Sequence, residues 1–213
     1  NDVVLHTRPA VATVRGGSFS KSIEEGKAGK IIEETIEIAE ETVFTKIANV
    51  VKEITCNQTR VVTTHRVMSA DLNEHETMFG GKLLAMVDAE ASLAAVRLAR
   101  GTVVTASMDH VQPFVLGDAA ELQAFVTGIG KRSIEVFAKV IVEEMATGKR
   151  TLGFSCFMTY VAIDEAANFT DYRLIGEDDE QAFLMETYQN RREHRRTERE
   201  NLADVNAHVN LDK

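Results

Sequence analysis

Asp88, Asn73 and the pair Gly80-Gly81 are the residues whose types and spacing offer chemistry. Asp88 lies in the apolar run Leu83 to Leu98, with Glu90 and Arg97 as the other charges. Wound at about 100° per residue, Lys82, Glu90 and Arg97 gather on one side of a helix. Asp88 falls opposite them, with Ser92 beside it. A carboxylate on an apolar helix face is costly unless it is paired or hydrogen-bonded. Desolvation there would raise its pKa and make it a better general base. A structural aspartate that caps a loop or pairs with an arginine fits the same position, and in an arbitrary protein it is the commoner case. The upstream residues change the odds. A polar loop (Asp71, Asn73, His75, Glu76) leads into Gly80-Gly81 at a helix start. Glycines let a ligand approach the backbone, and the free N–H groups there stabilise a developing oxyanion. A base, an amide side chain and an oxyanion site are therefore expected within one loop–helix unit.

The helix, Lys82 to Arg100, is almost entirely Leu, Val, Met and Ala outside its charged side, so burial around most of its circumference is expected. Strands are expected at Thr59–Val67 before it, and at Val103–Val111, Ala120–Thr127, Ser133–Glu143 and Leu152–Ile163 after it. Gly117-Asp118, Gly128 to Gly130 and Thr147-Gly148-Lys149 supply the turns. Strand, helix, then a run of strands points to an α+β layout, an antiparallel sheet with one helix against it. Residues 58–165 form this central zone. Residues 1–57 read as an N-terminal extension, with strands at Val11–Val14 and around Lys30–Ile38 and a helix at Glu40–Ile54. Residues 166–213 read as a polar tail with a helix over Asp178–Asn201, acidic first and arginine-rich last. Its arginines suit a solvated surface better than a patch for anionic phosphates.

The composition narrows the function classes. Of 213 residues, 44% are hydrophobic and 27% charged, an ordinary globular balance for one core with additions. A net charge of −9 argues against a nucleic-acid binder, though a local basic patch can still take a small anion. Cys56 and Cys156 are far apart and in no metal-ligand spacing, so neither a disulfide nor a metal site is expected. The opening residues lack a charged-then-apolar leader pattern. The apolar run is too broken by charge to span a membrane. A soluble, cytoplasmic protein is expected.

Five collinear blocks carry a more specific signal. They are Val67-Met68-Ser69-Ala70-Asp71-Leu72-Asn73; Phe79-Gly80-Gly81-Lys82 through Met86-Val87-Asp88-Ala89; Val104 to Asp109 with Gln112-Pro113 and Gly117-Asp118; Gly130-Lys131-Arg132-Ser133-Ile134-Glu135-Val136; and Phe157 to Asp164. Over about half the chain they resemble the acyl-CoA thioesterases of the hotdog superfamily, of the acyl-CoA hydrolase type. The resemblance implies a hotdog fold, an antiparallel sheet wrapped around one long central helix. It also implies a homodimer joined sheet edge to sheet edge, assembled further as a trimer of dimers, with active sites at the dimer interface. It assigns catalysis to Asp88, Asn73 from the other subunit, and the Gly81 amide. Gly80, Lys131, Arg132 and Ser133 are expected to bind the CoA part of an acyl-CoA substrate. No metal and no cofactor is required. Asp88 would act as a general base on water, or attack directly to give an anhydride. The chain departs from the pattern at Glu74, where the family often has glycine.

Two other readings compete. A hotdog dehydratase would pair His75 with Asp88 or Glu90, but its loop prolines are missing, since Pro9 and Pro113 lie elsewhere. A non-catalytic acyl-CoA sensor would use residues 1–57 as an output module. Those residues resemble a linker of the electron-transfer flavoprotein alpha subunit, through Thr7-Arg8-Pro9, Ala12-Thr13-Val14-Arg15 and Thr45-Lys46. No flavin-binding domain follows, so no FAD is expected. A fusion, a cloning remnant and a genuine extension stay open for this piece.

Overall fold

The computed structural model describes residues 50–111 and 117–210. The strands expected within 1–49, most of the Glu40–Ile54 helix and Gln112-Pro113 lie outside them. Strand β1 (Lys52–Thr55) and the one-turn helix α1 (Cys56–Thr59) precede strand β2 (Val61–Arg66). A 3-10 turn (Ser69–Asp71) leads to the long helix α2 (Gly80–Ala99). Strands β3 (Val103–Asp109), β4 (Ala119–Ile129), β5 (Ser133–Glu144), β6 (Lys149–Ala162) and β7 (Tyr172–Ile175) follow. Helices α3 (Asp179–Glu186) and α4 (Tyr188–Ala207) complete the order.

Strands β2 to β6 form one antiparallel sheet in the order β2-β4-β5-β6-β3, with β1 and β7 as a separate parallel pair. Side chains alternate across each strand, so each strand serves two faces. Ile134, Val136, Ala138, Val140 and Val142 of β5 join Cys156, Met158, Tyr160 and Ala162 of β6 on the face beneath α2. The helix offers that face Leu83, Val87, Ala91, Ala94, Ala95 and Leu98. These recur three or four apart, the spacing of one helical stripe, and the alanines let helix and sheet approach closely. Each fully buried Leu or Val contributes roughly 1.5–3 kcal/mol. The opposite face holds a smaller cluster, Phe125 and Phe137 with Cys56 and Leu184. Gly128 admits α4 to that face, since a Cβ there would lie 2.1 Å from the Tyr188 ring.

The α+β hotdog layout expected from the sequence is what is found, but three local expectations are corrected. Residues 52–54, expected at the end of a helix, are strand, because β1 pairs with β7 about 120 residues away. Tertiary pairing overrides the local helical pattern there. The helix expected over Asp178–Asn201 is two helices. Thr187 turns its hydroxyl onto the Phe183 and Leu184 carbonyls, and Arg191 donates to Leu184 O at 2.5 Å, closing α3. Burial of α2 around most of its circumference is also not found within one chain. Only the stripe above is buried, while Leu93, Val96 and Phe79 are exposed.

Candidate active site

Asp88 sits on the sixth-to-tenth-residue stretch of α2 that crosses above β3 and β6. Its carboxylate is half-buried, not enclosed, in the single chain. Two side chains reach it from the sheet. Thr105 on β3 donates its hydroxyl to Asp88 Oδ1 at 2.7 Å. The Tyr160 hydroxyl on β6 lies 3.1 Å from the Asp88 carbonyl oxygen and 3.3 Å from Oδ1. Thr105 and Tyr160 are register partners, so one rung of the β3–β6 ladder supplies both donors. The register shifts just after Thr105, which lets Thr105 and Met108 share the helix-facing side while Ser107 and Asp109 turn away. Tyr160 is fully buried, and burial beside Asp88 pushes its phenol well above the ordinary range, so it stays a hydrogen-bond donor. Neither Thr105 nor Tyr160 was singled out from sequence. Both lie in the collinear blocks, but strand alternation alone does not say which helix residue they meet. Ser92, expected beside Asp88, donates instead to Ala89 O within its own helix.

Asn73 lies in the loop before α2, where its amide organises a tight turn. Its Oδ1 accepts from the His75 and Thr77 N–H groups, and its Nδ2 donates to Thr77 Oγ1 at 2.8 Å. Among the described residues no contact joins Asn73 to Asp88 within one chain. The loop is pinned by Asp71, a buried carboxylate that accepts from Lys82 of α2, from His65 at 2.8 Å and from the Met68 N–H at 2.8 Å. The Lys82 hydrogen bond leads these in holding the Asp71 carboxyl far below the usual carboxylate range. A depressed carboxyl adds stability above its unfolded pKa and loses it as pH falls through the folded value. The Asp71→Asn variant should therefore melt below wild type at neutral pH, and the gap should close only below about pH 4. Thermal melts across pH check this. A gap unchanged down to strongly acid pH would contradict the ionic role.

Gly80 and Gly81 open α2, with Phe79 as N-cap. The first helical N–H groups to be accepted are those of Lys82 and Leu83, both by Phe79 O. The N–H groups of Gly80 and Gly81 have no such acceptor among the described residues, and Gly80 has open space around it. A Cβ at Gly81 would lie 2.9 Å from the exposed Phe79 ring, which would have to move aside. His75 is an exposed loop residue whose ring lies 3.6 Å from Glu74. Its pairing with Asp88 or Glu90, needed by a dehydratase, is absent among the described residues.

Lys131 and Arg132 occupy the β4–β5 turn, with Ser133 opening β5. Their backbone carbonyls accept from Phe169 and Ala162, which fixes the turn against the segment after β6. Ser133 lines a groove of about 880 Å³ between the sheet and α4, along with Ser107, Thr159 and Arg199. That groove is on the sheet face away from α2, so one chain places Ser133 and Asp88 on opposite faces. The arginines of α4 correct a second expectation. Arg195 is buried and Arg191 half-buried, not solvated, and they clamp Glu135 at 2.6 and 2.7 Å. Thr127 completes the cluster with a hydrogen bond to Glu135 at 2.8 Å. Arg192, Arg196 and Arg199 remain exposed.

The apolar side of α2 and β3 continues the site outward. Leu93 and Val96 of α2 are exposed, and β3 is an edge strand with a free side among the described residues. An unpaired edge beside exposed apolar groups is a surface on which another chain can pair.

The sequence profile of the Thioesterase superfamily matches residues 75–149. The uncharacterized acyl-CoA thioester hydrolase YkhA of Bacillus subtilis is 40% identical over 157 residues, covering 71% of this chain and 91% of that protein. A hexameric acyl-CoA thioesterase solved without ligand is 37% identical at a TM-score of 0.64, covering 70% of this chain and 97% of that one. The Staphylococcus aureus acyl-CoA hydrolase, solved with butyryl coenzyme A and coenzyme A, is 29% identical at a TM-score of 0.65, covering 73% and 99%. That hydrolase was also solved as three alanine variants, of an asparagine, an aspartate and a threonine. Their spacing, fifteen residues and then seventeen, is that of Asn73, Asp88 and Thr105 (88 − 73 and 105 − 88). Among these relatives nothing supports the flavoprotein resemblance of residues 1–57.

Proposed function

This chain belongs to the acyl-CoA thioester hydrolases of the Thioesterase superfamily, and from that premise we propose that it hydrolyses acyl-CoA to a free acid and CoA with Asp88 as the reacting carboxylate. The observation that carries the reading is the Asp88–Thr105–Tyr160 constellation on the helix-facing side of the sheet. The thioester carbonyl would lie at the start of α2, its oxygen accepting from the Gly81 N–H. Asp88 would draw the proton from water as that water attacks, or itself attack to give an anhydride. Thr105 holds one carboxylate oxygen, which leaves the other for chemistry. The equal spacing of the three residues altered in the Staphylococcus aureus hydrolase supports the assignment of Asn73, Asp88 and Thr105 to one site.

The site is completed by a second copy. Asn73 is tied into its own loop in one chain, Asp88 is open on one side, and β3 presents a free edge beside it. A two-fold dimer across β3, assembled further as a trimer of dimers, would bring the partner's loop to Asp88 and enclose the apolar side of α2. Asn73→Ala and Asp88→Asn should each be slow alone. Refolded together, they should regain about a quarter of the wild-type rate, because a mixed two-fold dimer holds one intact site. No recovery, with mixed dimers demonstrated, would place both residues in one chain's site.

Lys131 and Arg132 would meet the phosphates of CoA from the β4–β5 turn, with Ser133 and Gly80 nearby in the assembled enzyme. Lys131→Ala should raise KM for acyl-CoA roughly fivefold at low salt, with kcat little changed. The difference should shrink as salt rises, since screening weakens the wild-type contact. Steady-state kinetics at two ionic strengths check this, and an unchanged KM would remove Lys131 from the phosphate site.

A further inference from the structure

Asp88 Oδ1 carries both donors, Thr105 Oγ1 at 2.7 Å and the Tyr160 hydroxyl at 3.3 Å. Among the described residues no donor reaches Oδ2. The two carboxylate oxygens are therefore unequal before any substrate arrives. Tyr160 is held rigidly, being buried on a central rung of β6 with Met158 Sδ 3.3 Å from its hydroxyl. It has one proton and two oxygen acceptors on the same residue, the Asp88 carbonyl and the Asp88 carboxylate.

We propose that Tyr160 is a positioning residue that locks Asp88 at two points and leaves Oδ2 as the reacting oxygen. The proposal rests on Asp88 being the carboxylate of the hydrolysis. In the general-base route a water proton moves to Oδ2 while the water oxygen bonds to the thioester carbon. On collapse the C–S bond breaks and the departing thiolate takes that proton. In the anhydride route Oδ2 itself bonds to the thioester carbon and the C–S bond breaks; water then cleaves the anhydride, returning the Asp88 carboxylate and the free acid, and the thiolate takes the proton that water gives up. In both, the phenol keeps its own proton and serves only as donor. When Asp88 is ionised the phenol donates to Oδ1, where the negative charge makes the stronger acceptor. When Oδ2 takes a proton, that preference weakens and the backbone carbonyl, already nearer, takes the hydrogen bond. Tyr160 thus favours the ionised carboxylate without changing how substrate is held.

The test is the pH dependence of kcat for the full chain and for Tyr160→Phe, which keeps the ring and deletes the donor. The acid limb should move to higher pH by about one to two units, the effect of losing one hydrogen bond to a charged group. KM should stay unchanged. A fluorotyrosine at position 160, a stronger donor with the same packing, should move the limb to lower pH and serves if Tyr160→Phe folds poorly. A limb that moves with neither replacement, in folded protein, overturns the role given to Tyr160. Wild-type protein inactive on every acyl-CoA, or Asp88→Asn with full activity, instead overturns the reading of the site itself.

Discussion

The Asp88→Asn variant is expected to lose about 10²–10⁴-fold in kcat while folding as wild type does. Asparagine preserves the shape of the side chain, and its carbonyl oxygen can still accept from Thr105 and Tyr160. The fold therefore has little reason to respond, because the buried stripe of α2 runs through Val87 and Ala91 and not through Asp88. What disappears is the negative oxygen that takes a proton or attacks. KM should change little, since Asp88 contributes to the transition state more than to holding CoA. Initial rates and a melting curve on the same preparation decide the matter. If most of the rate survives, Asp88 is a structural carboxylate that links α2 to the β3–β6 rung.

The second large effect concerns stability. Glu135 is 1% exposed and accepts from Arg191, Arg195 and Thr127, all on the sheet face away from α2. Removing Glu135 leaves Arg191 desolvated without a counter-charge and Arg195 with only Asp109 at 3.7 Å. Breaking a buried ion pair in this way typically costs about 3–5 kcal/mol, or on the order of 10 °C in Tm for a chain of this size. Glu135→Leu should show that loss. Glu135→Gln, with the same shape and no charge, should lose nearly as much, because the guanidiniums still lack their partner. A Glu135→Gln variant that melts with wild type would mean that the cluster holds α4 by packing alone, through contacts such as Tyr188 on Gly128. The acid limb of kcat is expected to be unaffected by either change, since the cluster and Asp88 lie on opposite faces of the sheet.

Much of the scaffold was legible because its signals are local. The alternation in Ser133–Glu144 and the apolar stripe of α2 follow from two periods, 2.0 and 3.6, and both are read directly from the chain. Strand β7 was missed because Tyr172–Ile175 is four residues long and finds its partner in Lys52–Thr55, a pairing no local pattern announces. The break at Thr187 was missed for a related reason. The bonds that end α3, from Thr187 and Arg191 to the Phe183 and Leu184 carbonyls, are side-chain contacts that the charge pattern does not announce. Arg191 and Arg195 looked solvated because their counter-charge is contributed by β5, about 60 residues earlier. At the site, Asp88 was legible as a polar residue in an apolar run. Thr105 and Tyr160 were not, since a hydroxyl on an alternating strand is ordinary until the helix above it is known. The burial assigned to Asp88 from the helical wheel is not met by one chain, and a partner across β3 is what would supply it.

The most direct test of the central claim is free-thiol release from a panel of acyl-CoAs, short to long, by the wild-type chain. Steady thiol release from at least one chain length is expected, without added metal or cofactor. Binding of acyl-CoA with no thiol released at any length would contradict it, and would make this chain an acyl-CoA sensor built on a hydrolase fold.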